Sequence, residues 1–321
     1  TEAIESAIQM AFVHTGRSEV IGLRQSYHGR SFMTSNLTAV GSWRPLATSF
    51  PGIKHVQTPY PYRCPYKQPC DASCTEKFAN DIEDVIRTTT NGKPAAFIAE
   101  SVMGVGGYIV PPEGYFERAA EIIRSYGGLF ISDEVQSGFG RSGDHWFGIE
   151  HSNVEPDIMV MAKGIANGAP VGAMTTRPEI ADSWQSKTIS TFGGNPISMA
   201  AASATMEVMI EENVPARASE QGGQLLEGLL KFKDEFDWIG DVRGKGLMLG
   251  LELVENKEEK KPFASKAQAL LESCREEGLL VGIGGLHGHV IRLGPSLLVT
   301  ATEIEEGLER FGRACHKLGA R

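Results

Sequence analysis

Short apolar runs that end on a polar residue recur along this chain. Three stand out: Ala95-Ala96-Phe97-Ile98-Ala99-Glu100, Gly128-Leu129-Phe130-Ile131-Ser132-Asp133, and Asp157-Ile158-Met159-Val160-Met161 running into Ala162-Lys163-Gly164. Continuous rather than alternating apolar runs predict strands buried on both faces, as in a parallel sheet. Between them the period lengthens to that of a helix. Residues 76–87 place Phe78, Ile82, Val85 and Ile86 on one side, and a further helix is predicted over 115–126. The opening residues behave alike, with Ala3, Ile4, Ala7, Ile8 and Ala11 on one face and Glu2 and Glu5 where a helix dipole favours acids. A short strand is predicted at 19–23, a helix at 30–38, a strand at 156–162 and one more at 171–175. Residues 58–73, rich in Pro, Tyr and Cys, read as an irregular excursion. Strands alternating with helices predict an α/β fold: a mainly parallel sheet with helices on both faces.

Beyond a helix over 196–210 the pattern changes. Helices at 220–232, 264–277 and 302–318 are interspersed with strands at 247–253, 279–281 and 289–293. That mixture predicts a smaller α+β C-terminal domain, so the expected division is a large domain over 1–212 and a small one over 213–321.

Composition narrows the function classes. The 321 residues suffice for two domains, with 41% hydrophobic and 22% charged residues as in ordinary globular proteins. Acidic residues number 40 against 31 Lys plus Arg, a net charge of −9 that argues against nucleic acid as a partner. No apolar run is long enough to cross a bilayer, so no membrane partner is expected. Five cysteines, an odd and sparse set, suit a reducing compartment: cytoplasm or mitochondrial matrix rather than secretion. Cys64, Cys70 and Cys74 lie close together, but C-x5-C-x3-C is not a standard zinc spacing and His55 does not complete one. The expectation is therefore no metal and a loop of incidental thiols. The chain opens on Thr1, directly at a helix start, which predicts that a segment and any targeting peptide precede it.

Three polar groups at or just past strand ends, Glu100, Asp133 and Lys163, fall where open α/β sheets place their ligands. A buried Asp or Lys needs a partner, and these two could simply pair with each other. One chemistry needs both, held apart. Pyridoxal phosphate requires a lysine for its Schiff base and a carboxylate facing its ring nitrogen. It also requires an anion cradle and a face to stack on. Thr1 at a helix start and Ser190-Thr191 before Phe192-Gly193-Gly194-Asn195 are candidate phosphate ligands, and Tyr27 is a candidate stacking ring.

These residues sit in motifs that resemble a known family. Tyr27-His28-Gly29-Arg30, Asp133-Glu134-Val135-Gln136-Ser137-Gly138-Phe139-Gly140-Arg141, Lys163-Gly164 and Thr191-Phe192-Gly193-Gly194-Asn195-Pro196 are similar, in order, to the class III aminotransferases. These form the ω-aminotransferase branch of fold type I pyridoxal phosphate enzymes. The resemblance implies that Lys163 is the Schiff-base lysine and proton shuttle. It implies that Asp133 pairs with the pyridine nitrogen, Gln136 bonds the phenolic oxygen, and Val135 packs on the ring face opposite Tyr27. It implies a homodimer or dimer of dimers with sites at the interface, where Thr191 reaches the neighbour's phosphate. Arg292, in His289-Val290-Ile291-Arg292-Leu293-Gly294-Pro295, matches the arginine that binds a substrate carboxylate. Glu100 matches the glutamate that masks this arginine for ω-amines. His28 reads as a loop-structuring histidine rather than a catalyst.

Within the class, residues 161–168 (MAKGIANG) and 240–248 (GDVRGKGLM) are most similar to the alanine–glyoxylate branch. That resemblance implies L-alanine or a β- or ω-amino acid as donor and glyoxylate or pyruvate as acceptor, in a ping-pong reaction. The alternative is a 4-aminobutyrate or other ω-amine aminotransferase. More remote are an aminomutase or decarboxylase of the same fold, or an inactive scaffold.

Overall fold

A computed structural model describes residues 1–44 and 49–319. They form two compact units. One comprises residues 1–101, 111–138 and 147–211; the other comprises 102–110, 139–146 and 212–321. The two short segments that join the second unit are absent from a division drawn at a single boundary.

The first unit is built on a six-stranded sheet. Its strands are β1 (Val20–Leu23), β2 (Ile53–Val56), β3 (Ala96–Glu100), β4 (Leu129–Asp133), β5 (Ile158–Met161) and β6 (Ala173–Thr176), in the order β2-β1-β3-β4-β5-β6. All neighbours run parallel except β5 and β6. β3 and β4 are buried at every position, in keeping with their continuous apolar runs. Ala96, Ile98, Ile131, Ile158 and Val160 share a core with Ile4, Ala7, Ile8 and Ala11 of helix Glu2–Thr15. Phe97 and Phe130 alternate to the opposite face and stack at 5.9 Å, with Phe116 of helix Tyr115–Ser125 stacked on Phe130 at 5.9 Å. Helices therefore cover both faces. Each large side chain buried here contributes about 1.5–3 kcal/mol.

The second unit carries a four-stranded antiparallel sheet of β7 (Ile239–Lys245), β8 (Met248–Leu253), β9 (Gly282–Gly284) and β10 (Val290–Leu293), ordered β7-β8-β10-β9. Helices Val214–Glu235, Ala264–Glu276 and Ala301–Lys317 close its core around Trp238, Leu251, Leu270 and Phe311. Among the described residues no helix is long and apolar enough to cross a membrane.

Three elements depart from expectation. β2 has the mixed sequence Ile-Lys-His-Val and owes its strand form to parallel pairing with β1. β7 runs through Gly240, Asp241 and Gly244, and pairs with β8 across a bulge. The strand expected at 279–281 lies instead at Gly282–Gly284, where a Cβ on Gly284 would stand 2.8 Å from the Arg292 side chain. Glycine there lets β9 lie close beside that side chain on β10.

Candidate active site

Parallel pairing aligns the polar ends of three strands. Glu100 is the register partner of Asp133, and Asp133 of Val160, so these positions share one face of the sheet. Beyond β5 the chain turns at Ala162 into a short 3-10 turn, Lys163–Ala166. Lys163 itself adopts φ 45°, in the left-handed region that a side chain other than glycine seldom occupies. Backbone held in this way clusters at functional sites. Lys163 is exposed rather than buried, because the turn carries it clear of the sheet to an open rim.

Tyr27, Glu100, Asp133, Val135, Gln136 and Lys163 line one cavity of ≈ 220 Å³ in the first unit, together with Thr1 and His28. A larger cavity of ≈ 590 Å³ shares Thr1, Ile4, Val135 and Ala162 with it and continues to Ser190, Phe192 and Asn195. Thr191 itself is exposed, in the turn before helix Pro196–Glu211. Asn195 shapes that turn: its amide donates to the Phe192 carbonyl at 3.1 Å, and its Oδ1 accepts the Ser198 N–H at 3.0 Å.

The carboxylates are held from behind. His28 Nδ1 lies 2.7 Å from Asp133 Oδ2, and the Val135 N–H donates to Asp133 Oδ1 at 3.1 Å. Both side chains of the His28–Asp133 pair are buried, and the other ring nitrogen of His28, Nε2, is buried without a hydrogen-bond partner. Glu100, buried at the end of β3, accepts the Tyr27 N–H at 2.8 Å and so fixes the Tyr27 loop. The Tyr27 ring meets Trp43 edge-on with centroids 5.4 Å apart. Next to Asp133, the fully buried Glu134 accepts from Ser137 at 2.7 Å and from the Gly148 and Ile149 amides at 2.7 and 2.8 Å. Those bonds hold the turn that carries Val135 and Gln136. At Gly29, φ is 130° and a Cβ would fall 2.6 Å from the Thr1 hydroxyl, so only glycine lets the Tyr27 loop lie against the first helix.

Sequence reasoning missed Trp43 and Glu134, and it gave His28 no partner. Spacing along the chain does not say which loop folds back over which strand end.

Arg292 lies on β10 in the second unit. Its Nη1 donates to the Gly104 carbonyl at 3.1 Å, its guanidinium stands 5.5 Å from the Tyr108 ring centroid, and its Nε is buried without a partner. A guanidinium with a buried N–H left over suits an anionic ligand.

These residues fit pyridoxal phosphate. Each Asp133 oxygen accepts one hydrogen bond from the protein and keeps a further lone pair for a ring N–H. Lys163 supplies an amine on the same cavity, Tyr27 an aromatic ring, Val135 an apolar contact and Gln136 an amide. Thr1 supplies a hydroxyl at the start of a 14-residue helix.

Residues 1–315 match the model of the family described as aminotransferase class-III. The chain is 39% identical over 319 residues to alanine–glyoxylate aminotransferase 2 homolog 2, mitochondrial, of Arabidopsis thaliana, which covers 99% of this chain and 65% of that protein. It is 35% identical to the leucine/methionine racemase of Thermococcus litoralis, covering 98% of this chain and 71% of that one. Among solved structures, an amine transaminase from an uncultivated Pseudomonas species in its PLP-bound form superposes with a TM-score of 0.93 at 32% identity, over 99% of this chain and 75% of that one. The chain spans 65% of the length of the alanine–glyoxylate aminotransferase 2 relatives it matches.

Proposed function

The chain belongs to the class III aminotransferases, and on that premise we propose that it moves an amino group from L-alanine or a β- or ω-amino acid to glyoxylate or pyruvate. One observation carries the reading: Glu100, Asp133 and Lys163, from the ends of three neighbouring strands, converge on one cavity with Tyr27, Val135 and Gln136. When bound there, pyridoxal phosphate supplies an aldehyde that joins to amines and a ring that accepts electrons from the amine's Cα.

The chain's own residues do the rest. Lys163 would hold the cofactor through Nζ and would carry a proton to and from the substrate's Cα at that same nitrogen. Asp133 would keep the ring nitrogen protonated, and His28 keeps Asp133 oriented. Gln136 would hold the phenolic oxygen, and Tyr27 and Val135 would offer the ring an aromatic and an apolar contact. Thr1 binds the phosphate. Arg292 would bind the substrate carboxylate, and the Glu100 carboxylate would stand in for that group when the amine has none. One amino donor leaves as its oxo acid before the acceptor binds, a ping-pong order.

A homodimer is part of the proposal, with Thr191 serving the neighbouring site. Its support is an uncovered apolar stretch: Ile189 is 91% exposed, Phe192 82% and Ile197 83%. The mitochondrial location in the Arabidopsis relative's name extends to this chain as part of the same proposal, with the cytoplasm as the alternative.

The test is a half-reaction on the full-length holoenzyme. L-Alanine alone yields one pyruvate per site and shifts the cofactor's visible absorbance, and glyoxylate then restores the spectrum and releases glycine. Formation of D-alanine without pyruvate would mark a racemase instead and overturn the reading.

A further inference from the structure

The excursion at 58–73, outside the cavity, gathers three thiols. Cys64 closes the 3-10 turn Pro61–Arg63, Cys70 lies in the following loop, and Cys74 occupies the first turn of helix Ala72–Thr89. Their sulfurs all lie within 4.8 Å of one another. All three cysteines are free, with Cys64 and Cys74 buried and Cys70 partly open to solvent. We propose that Cys64, Cys70 and Cys74 form a three-thiolate site for one zinc ion, with solvent in the fourth position.

Several features support it. Thiolates about 2.3 Å from a tetrahedral zinc stand about 3.8 Å apart, so a cluster within 4.8 Å needs little contraction to close on one ion. Three sulfurs and no carboxylate make a soft donor set, which selects zinc or copper(I) over magnesium or calcium. The turn also fixes the direction of the Cys64 sulfur. The backbone amides of Lys67 and Tyr66 donate to the Cys64 sulfur, and so do the neighbouring thiols. Amide N–H groups aimed at a cysteine sulfur orient it, as outer partners of metal ligands do. Cys74 sits in the first turn of helix Ala72–Thr89, a rigid element that fixes its position beside the loop. The Gln68 side-chain amide braces the loop from within, donating to the carbonyls of Pro61, Tyr62 and Cys64 at 3.2, 3.2 and 3.1 Å. The linear spacing does not announce this site, because the turn around Cys64 and the helix start bring the sulfurs together. On binding, each thiol still protonated releases its proton to solvent and no electron moves.

Full-length protein, reduced and freed of metal with a chelator, is titrated anaerobically with Co2+. The expected result is saturation at one equivalent per chain, with a thiolate-to-cobalt charge-transfer band and tetrahedral d–d absorption that Zn2+ abolishes. Cys70→Ser weakens Co2+ binding at least tenfold, whereas Cys274→Ser leaves it unchanged. Alkylation of the wild-type protein, read by mass spectrometry, adds a measurement that needs no variant: one equivalent of Zn2+ protects Cys64, Cys70 and Cys74 together. Absence of the charge-transfer band, its full survival in Cys70→Ser, no protection from alkylation, or a disulfide between two of these cysteines that persists in reduced glutathione would each overturn the site.

Discussion

His28 Nδ1 and Asp133 Oδ2 lie 2.7 Å apart with both side chains buried, joining the loop after β1 to the end of β4. A carboxylate at a strand end has several rotamers, and a ring locked beside it removes that freedom. His28→Ala is therefore expected to lower kcat about 10- to 100-fold, the range usual for partners that orient a site group. It should also shift the cofactor's visible absorbance and the pH profile of kcat. His28→Asn, which keeps a donor on that side, recovers part of the loss. An unchanged spectrum and pH profile in His28→Ala would leave the histidine with a packing role only.

Lys163 supplies the covalent anchor and the mobile proton in the proposed reaction. Lys163→Ala is expected to retain the fold, because the residue is exposed in a turn, and to lose at least about 10³-fold in kcat. Steady-state rates and borohydride trapping of the cofactor check this. Trapping at wild-type levels in the variant would place the anchor elsewhere.

Arg292 offers a planar fork that lysine cannot reproduce. Arg292→Lys is expected to raise KM about 10- to 100-fold for donors bearing an α-carboxylate, the scale of a charge-assisted hydrogen-bond pair. Donors without a carboxylate should be nearly unaffected. Parallel KM measurements for L-alanine and a simple arylalkyl amine distinguish this from general damage, which would impair both.

The helix Pro196–Glu211 is rich in apolar residues, yet only Ser198 and Met209 are buried along it. In the proposed homodimer a second copy of the chain would cover Phe192 and Ile197. Replacing both with Asp is expected to turn a dimer into a monomer in sedimentation analysis and to abolish activity along with it. A monomeric wild-type protein, or a dimer unaffected by the double change, argues against this interface.

In the second unit, Glu277 accepts from Lys317 Nζ and from Arg313 Nε, each at 2.7 Å. Lys317 first and Arg313 second hold its carboxyl below the ordinary value of 4.5. A lowered acid contributes stability above its unfolded value and loses that contribution as pH falls through the folded one. Wild type should therefore melt higher than Glu277→Gln at about pH 7, and the gap should close as the pH drops below about 4. Thermal melts of the two proteins across that range are the check.

Much of the first unit was legible in the chain itself. β3, β4 and β5 announce themselves because strands covered on both faces cannot alternate, so their apolar runs are unbroken. Asp133 and Lys163 announce themselves because a charge placed right after such a run lies at the ligand-bearing edge. β2 and β7 stayed hidden, since Lys54, His55 and Asp241 break any apolar pattern and only their neighbours make them strands. The pairing of His28 with Asp133 spans 105 residues, and no local periodicity encodes a contact of that range. The gathering of Cys64, Cys70 and Cys74 was hidden for the opposite reason: their spacing is local, but a turn rather than a helix brings the sulfurs within 4.8 Å of one another.

The register of β3, β4 and β5 acts as a fixed ruler. Neighbouring strands stand about 4.8 Å apart whatever the connecting loops contain. Glu100 and Asp133, opposite each other on that ladder, keep their separation as the loops beyond them change. Changes in the residues around Tyr27 or Phe192 therefore leave the spacing of Glu100 and Asp133 where it is.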